Sequence, residues 1–306
     1  MFAMLASGER VFLSAGHVLT VGVLTLVTAA LCVIVRRSRG RPGEARVRRR
    51  VCLGIALPTV AAAIGKQVLD AYAGGWSLQE SLPLHVCDIA AYLTPLALVF
   101  AAQRGPREVE RAGDRRSPGI LQRLYEVSYY WGLGGTLQAV LTPDINDAFP
   151  SPAYVRYFIG HGGIIAGTLV MTFGLRLRPR AGSWKWMWWL TLGTALVVMP
   201  IDRVLGANYM FLLHPPANPT ILDYLAPPPW YFASLAGLGT VMLWVWYSPW
   251  WVYDRLRRAR FRGQGGAVSR ARGERDPRVS RGGDKNAVWS ERGEGSQESH
   301  GFARRK

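Results

Sequence analysis

The sequence predicts an all-α, polytopic membrane protein of about seven transmembrane helices, with the N-terminus outside and the C-terminus in the cytoplasm. Three observations predict it. Hydrophobic residues make up 49% of the 306 residues, and they fall in runs of about 20, the length that spans a ~30 Å hydrocarbon core. Arginine and lysine alternate from one connection to the next. Tryptophan and tyrosine cluster where the runs end.

The runs lie at about 15–35, 51–73, 84–102, 123–141, 155–175, 186–205 and 230–252. The first is longer than the apolar core of a signal peptide. It is followed by eight arginines rather than a small-residue cleavage site, so it reads as a retained span. The second is the least apolar, because it contains Pro58, Lys66 and Asp70. The connection after the first run holds Arg36, Arg37, Arg39, Arg41, Arg46, Arg48, Arg49 and Arg50. That after the third holds Arg104, Arg107, Arg111, Arg115, Arg116 and Arg123, and that after the fifth holds Arg176, Arg178, Arg180 and Lys185. The last run is followed by Arg255, Arg257, Arg258 and Arg260. Connections 74–83, 142–154 and 206–229 have neither Lys nor Arg. The positive-inside rule then sets the orientation. Trp184, Trp186, Trp188 and Trp189 mark one boundary, and Trp230, Tyr231, Trp250 and Trp251 frame the last run, as amphipathic rings at headgroup level do.

Residues 1–253 form the transmembrane domain on this reading, and 254–306 a disordered, basic cytoplasmic tail too poor in apolar residues to fold alone. The net charge of +17 belongs to the cytoplasmic connections and the tail. It does not indicate nucleic acid, since no helix-turn-helix or interleaved aromatic motif accompanies it. The expected partners are membrane lipids, the expected location is the cell membrane, and the oligomeric state is left open. Cys32, Cys52 and Cys87 lie on three different runs with no CxxC spacing, which excludes a zinc ribbon or a disulfide scaffold.

Polar residues collect at one depth. His85, Cys87 and Asp88 open the third run, Gln138 closes the fourth ahead of Thr142-Pro-Asp144, and His161 lies two turns into the fifth. Asp202 and Arg203 end the sixth, followed by Asn208 and Tyr209, and Asp223 precedes the seventh. Lys66 and Asp70 stand at i and i+4 in the outer half of the second, where they can neutralise one another. Only Glu126 is plainly on the inner side. Ionisable groups within spans are costly unless they are paired or face water, so this gathering predicts a polar pocket open to the outer face.

Three chemistries suit such a pocket. A thiol with a neighbouring imidazole is the minimal nucleophilic pair, and Cys87 and His161 lie at similar depth. His85, two residues from Cys87, points to another side of the helix. Metal binding by His85, His161, Asp144 and Asp223 or His214 has suitable donors but no regular spacing. Ion or proton movement could use the same groups. Against these stand plain structural roles. Cys32 and Cys52 read as packing residues, as a lone cysteine on a span usually does. His17 reads as an interfacial residue, His214 as a loop residue and His300 as solvated in the tail. Gly132, Gly134 and Gly135, and Gly160, Gly162 and Gly163, permit close helix approach.

Six short motifs in order, Leu82-Pro-Leu-His-Val-Cys87, Tyr130-Trp-Gly-Leu-Gly-Gly135 with Gln138-Ala139, Thr142-Pro-Asp144, His161-Gly162, Gly206-Ala-Asn-Tyr-Met210, and Leu222-Asp223 with Pro229-Trp230-Tyr231, resemble the YwaF-type integral membrane proteins. Those are similar to the mammalian transmembrane protein 164 group. The resemblance covers about 12–252 and leaves the tail outside. It implies acyl transfer on lipids, since the mammalian relatives act as acyltransferases on ether phospholipids with a Cys and a His. By motif these are Cys87 as nucleophile and His161 as base. His85, Asp88, Gln138, Asp144, Asn208, Tyr209 and Asp223 are the expected substrate-binding residues, with no cofactor and no metal. The alternative is a small-molecule or ion transporter using the same pocket, or a non-catalytic membrane protein.

Overall fold

A computed structural model describes residues 11–104, 119–143, 145, 147–216 and 220–271. Every described element is helical. Met1–Asp254 forms one compact unit and Arg255–Lys306 a second. In order, the elements are α1 (Ala15–Ser38), α2 (Glu44–Tyr72), α3 (Val86–Gln103), α4 (Ile120–Trp131), a π-helix (Gly132–Thr136) and α5 (Leu137–Leu141). They continue with α6 (Pro152–Leu169), a second π-helix (Val170–Gly174), α7 (Ser183–Leu205), two short 3-10 turns (Tyr209–Phe211 and Ile221–Tyr224) and α8 (Tyr231–Ala271).

Five helices are long and apolar enough to cross a membrane by length and composition: Ala15–Ser38, Glu44–Tyr72, Val86–Gln103, Pro152–Gly174 and Ser183–Leu205. Each overlaps an expected run. The two other expected runs differ in make-up. Run 123–141 is interrupted by the first π-helix, and α8 continues past run 230–252 into the arginines that follow it. The first stretch expected as tail is therefore helical as far as Ala271, and 272–306 lie outside the described residues.

The helix ends follow local chemistry. Ser14 caps α1 by accepting the His17 N–H at 3.2 Å, and Ser151 caps α6 by accepting the Tyr154 N–H at 3.1 Å, with Pro152 in the first turn. These side chains satisfy donors that have no partner within the helix. Gly206 ends α7 at φ 66°, a left-handed conformation that costs glycine little. The second span begins seven residues before its expected start, because Glu44 turns back to accept the Gly40 N–H at 2.7 Å and so closes the α1–α2 turn.

Lipid is as apolar as leucine, so helices in a bilayer cohere through close contact and interhelical hydrogen bonds. The buried core joins α2, α3, α4 and α6 through Ile55, Ala90, Ala97, Leu98, Tyr125, Ile164 and Val170. Glycines on α6 make the approach possible. A Cβ at Gly160 would lie 3.7 Å from Ala62, one at Gly167 would lie 2.9 Å from Leu98, and one at Gly163 would collide with the Thr59 hydroxyl. That hydroxyl is held in place by donating to Ile55 O at 2.7 Å. α1 joins the bundle through Tyr154, whose hydroxyl donates to Thr20 Oγ1 at 3.0 Å, and through His17. His17 is buried against its neighbours at the start of α1. Its Nδ1 accepts the Leu13 N–H at 3.1 Å, so Nε2 carries the proton given to Val140 O at 2.9 Å.

Candidate active site

The arginine-poor end of the bundle is organised around Tyr209. This residue is buried, donates its hydroxyl proton to Leu78 O at 2.8 Å and accepts the Leu82 N–H at 3.0 Å. Its own N–H goes to Asp202 Oδ1 at 2.9 Å. Tyr209 thus ties connection 206–212 to connection 74–83. Burial pushes its phenol above the usual tyrosine range, which keeps the donating proton in place. His85, the N-cap residue of α3, completes the tie. Its Nδ1 accepts the Met210 N–H at 3.1 Å, and its ring meets Tyr209 at 5.4 Å and Phe211 at 5.2 Å. Met210 and Phe211 both have positive φ, 57° and 54°. Such backbone strain in non-glycine residues persists only where surrounding contacts over-determine it, and His85, Tyr209 and the Tyr231 hydroxyl on Phe211 O supply those contacts.

Cys87 and Asp88 follow in the first turn of α3. Asp88 reaches back to accept the His85 N–H, the returning half of a capping box. Lys66 on α2 lies close enough to act electrostatically on both Cys87 and Asp88. It also forms the expected pair with Asp70, at 3.1 Å. Sequence spacing alone had paired Lys66 only with Asp70.

His161 is on α6. Its ring stacks on Tyr157 at 4.1 Å, and its Nδ1 lies 3.0 Å from Tyr157 O. A carbonyl only accepts, so Nδ1 carries the proton and Nε2 keeps a lone pair. The Tyr157 hydroxyl donates to Ala139 O at 2.9 Å, so the histidine and its support face α5. No hydrogen bond joins Cys87 to His161 among the described residues. Their helices pack directly at Gly167 and Leu98, and the first π-helix touches both. A Cβ at Gly135 would meet Val86 at 3.1 Å, and one at Gly132 would meet Thr168 at 3.1 Å and Ile164 at 3.2 Å. The Gly-Leu-Gly-Gly stretch is therefore wedged between the residue preceding Cys87 and the face of α6 one turn beyond His161. Single-turn π-bulges are rare and occur often at functional sites.

The remaining expected site residues are placed as follows. Gln138 is exposed on α5. Asn208 shapes its own loop, with Oδ1 accepting the Leu213 N–H at 3.1 Å and Nδ2 donating to His214 O at 2.8 Å. Asp223 is exposed and caps a short turn by accepting the Thr220 N–H at 2.6 Å. Asp144 lies outside the described residues. Among the described residues no group of three or more His, Cys, Asp or Glu side chains could hold a metal. An apolar surface concavity of about 280 Å³, lined by Thr240, Val241, Trp244, Val245 and Ser248, lies on α8. Tyr231 sets the start of that helix at the level of Phe211 and His85. At 1.5 Å per residue Thr240 and Ser248 are about 13 and 25 Å further along, well away from the Tyr209 tie.

Sequence reasoning noted Glu126 as an isolated inner acid and missed what it does. Glu126 is fully buried and takes hydrogen bonds from Arg180 N and Nε at 2.9 Å each and Arg180 Nη2 at 2.8 Å. It also accepts from Gln122 Nε2 at 3.0 Å and Trp186 Nε1 at 2.6 Å. The carboxylate raises the Arg180 guanidinium above its ordinary range, so this cluster stays ionised and locks connection 175–182 onto α4. The available signal was one acid opposite an acid-free arginine connection. Asp202 was seen as an outer polar residue but not as the anchor of Tyr209. Its second oxygen, Oδ2, is buried without a hydrogen-bond partner.

No curated protein and no solved structure matches the chain. The family model described as the TMEM164 family matches residues 12–247, which takes in all six motifs and every expected site residue. The chain belongs to the TMEM164 family.

Proposed function

We propose that the protein is a membrane-embedded acyltransferase or hydrolase of lipid esters, with Cys87 as nucleophile and His161 as general base. The observation that carries this reading is the tautomer of His161. With Nδ1 donating to Tyr157 O, the ring presents an unprotonated Nε2, the form that can accept a thiol proton. The likeness to the YwaF-type proteins, which rests on the six motifs, supports the same reading.

The chemistry has two halves. His161 Nε2 takes the Cys87 proton while Sγ attacks the ester carbonyl. The C–O bond breaks, the leaving alkoxide takes the proton back from His161, and the acyl group remains on sulfur as a thioester. An acceptor hydroxyl, or water, then gives its proton to His161, attacks the thioester and releases the thiol. The scheme requires Sγ and Nε2 to come within hydrogen-bond reach once substrate is bound, a tightening common between apo and complexed enzymes. Asp88 and Gln138 are the proposed substrate-facing groups, and Asp144 is assigned to the same role from its motif. His85, Asn208, Tyr209 and Asp223 act on substrate as the polar wall whose loops they hold.

The seven-span topology, with the N-terminus outside and the site at the outer face of the cell membrane, belongs to this proposal. It rests on the alternation of arginine and on the gathering of Tyr209, His85 and Cys87 at the arginine-poor end. The locking of Glu126 by Arg180, Gln122 and Trp186 favours a one-sided pocket over a transport path, because the acid buried within an inner helix half is occupied.

Lipid mass spectrometry of membranes carrying wild-type protein or Cys87→Ala at matched levels tests the proposal. Acyl-chain changes that need Cys87 are the expected result. Identical profiles from two correctly inserted proteins would remove the enzyme reading.

A further inference from the structure

We infer that Arg48 forms the floor of an anion site at the arginine-rich end of the α1–α2 hairpin, and that its ligand is a phosphate group. Arg48 is 3% exposed, yet Nε and Nη1 are buried with no hydrogen-bond partner. Buried arginines are normally paired and hydrogen-bonded, because an orphaned N–H on a charged group loses its water without replacement. Glu44 lies one turn earlier, but its Oε1 is 3.6 Å from Arg48 Nη1. That distance balances charge and is too long for a hydrogen bond. The other Glu44 oxygen is taken by the Gly40 N–H at 2.7 Å.

The surroundings favour an anion. Side chains on a helix lean toward its N-terminus, and the approach to Glu44 shows that Arg48 leans toward the start of α2. This helix of 29 residues has no side-chain cap, its N-cap being Gly43 at φ 87°. Its first turn therefore adds the partial positive charge of a helix N-terminus. Arg36, Arg37, Arg41, Arg46, Arg49 and Arg50 are exposed around the hairpin. Basic pockets between transmembrane helices at the cytoplasmic side bind anionic headgroups. Glu44, partly exposed at 15% of its side chain, is the cover. A phosphate reaches the guanidinium by displacing that carboxylate, and it supplies the acceptor oxygens that Nε and Nη1 lack. The ligand is either the phosphodiester of an anionic lipid or free phosphate. The site is separate from the Cys87 chemistry and does not depend on it.

The test uses full-length protein in phosphatidylcholine nanodiscs, with phosphatidylglycerol or inorganic phosphate added separately. The readouts are thermal unfolding and native mass spectrometry of retained lipid. A stabilising shift with phosphatidylglycerol alone assigns a lipid headgroup, and the same shift with inorganic phosphate assigns the free ion; either supports the site. Arg48→Gln, which keeps one amide donor but loses the second donor and the charge, weakens retention at least roughly tenfold. Arg49→Gln, which removes the same charge from an exposed neighbour, leaves it near wild type. Glu44→Gln removes the competing carboxylate and strengthens retention, which decides the matter if Arg48→Gln fails to insert. Equal losses in Arg48→Gln and Arg49→Gln, unchanged retention in Arg48→Gln, no stabilising shift from either addition, or unchanged or weaker retention in Glu44→Gln overturns the proposal.

Discussion

At the residue scale, the side chains that matter most are polar ones whose partners come from distant connections. Glu126 has no acidic neighbour or repeat to advertise it, yet it collects five hydrogen bonds from Arg180, Gln122 and Trp186. Removing one member of a buried ion pair strands the other, at about 3–5 kcal/mol. Glu126→Ala is therefore expected to lower stability by that amount, read as a fall in thermal unfolding temperature in detergent. Arg49→Ala, at an exposed position, should change little. His161 illustrates a different dependence. Its type and depth are visible in the sequence, but its tautomer comes from the Tyr157 carbonyl one turn earlier, and a histidine held the other way round would present an N–H where the proposed base must accept. His161→Gln should abolish the same lipid changes as Cys87→Ala while leaving insertion intact. Lipid changes that survive His161→Gln would exclude it as the base.

At the element scale, the two π-helices were not legible in the sequence. Glycines at 132, 134 and 135 signalled close approach, and the structure confirms it at Val86, Ile164 and Thr168. The shift from i→i−4 to i→i−5 bonding has no composition of its own, because it arises where packing on both faces forces one extra residue into a turn. The α2–α6 contact was more readable. Gly160, Gly162 and Gly163 signal close approach, but only the tertiary structure shows that Gly160 and Gly163 meet Ala62 and Thr59 of α2 while Gly162 meets Leu24 of α1. Gly163→Val places a side chain against a Thr59 hydroxyl already committed to Ile55 O. Overpacking of this kind costs about 1–3 kcal/mol, expected as reduced yield of folded protein and a lower unfolding temperature. A Gly193→Val control, where a Cβ meets open space, should behave as wild type.

At the scale of the whole molecule, the arrangement is polarised. The arginine-poor end is drawn together by Tyr209, Asp202 and His85, while the arginine-rich end is pinned by Glu126, Arg180 and the Arg178–Asp254 pair at 2.9 Å. The seven-span reading predicts that a reporter fused after Arg260 is cytoplasmic and that one inserted in connection 74–83 is external. Paired alkaline phosphatase and green fluorescent protein fusions check it. Activity of the phosphatase at the C-terminal fusion would reverse the orientation and move the proposed site to the inner face.

The sequence by itself determined the all-helical class and the positions of the five membrane-length helices. These properties depend on composition and periodicity along one chain, and the bilayer imposes a fixed length on them. The six motifs also singled out Cys87 and His161 without any geometry. Only the tertiary structure decided which polar residues hold one another. His85, Asn208, Tyr209 and Asp223 look alike in sequence as candidate ligands, but their atoms are engaged with Met210, Leu213, Leu78 and Thr220. For Asn208 and Asp223 the partners are local, but those of His85 and Tyr209, 125 and 131 residues away, are set by how helices pack side by side, and no local spacing encodes that choice.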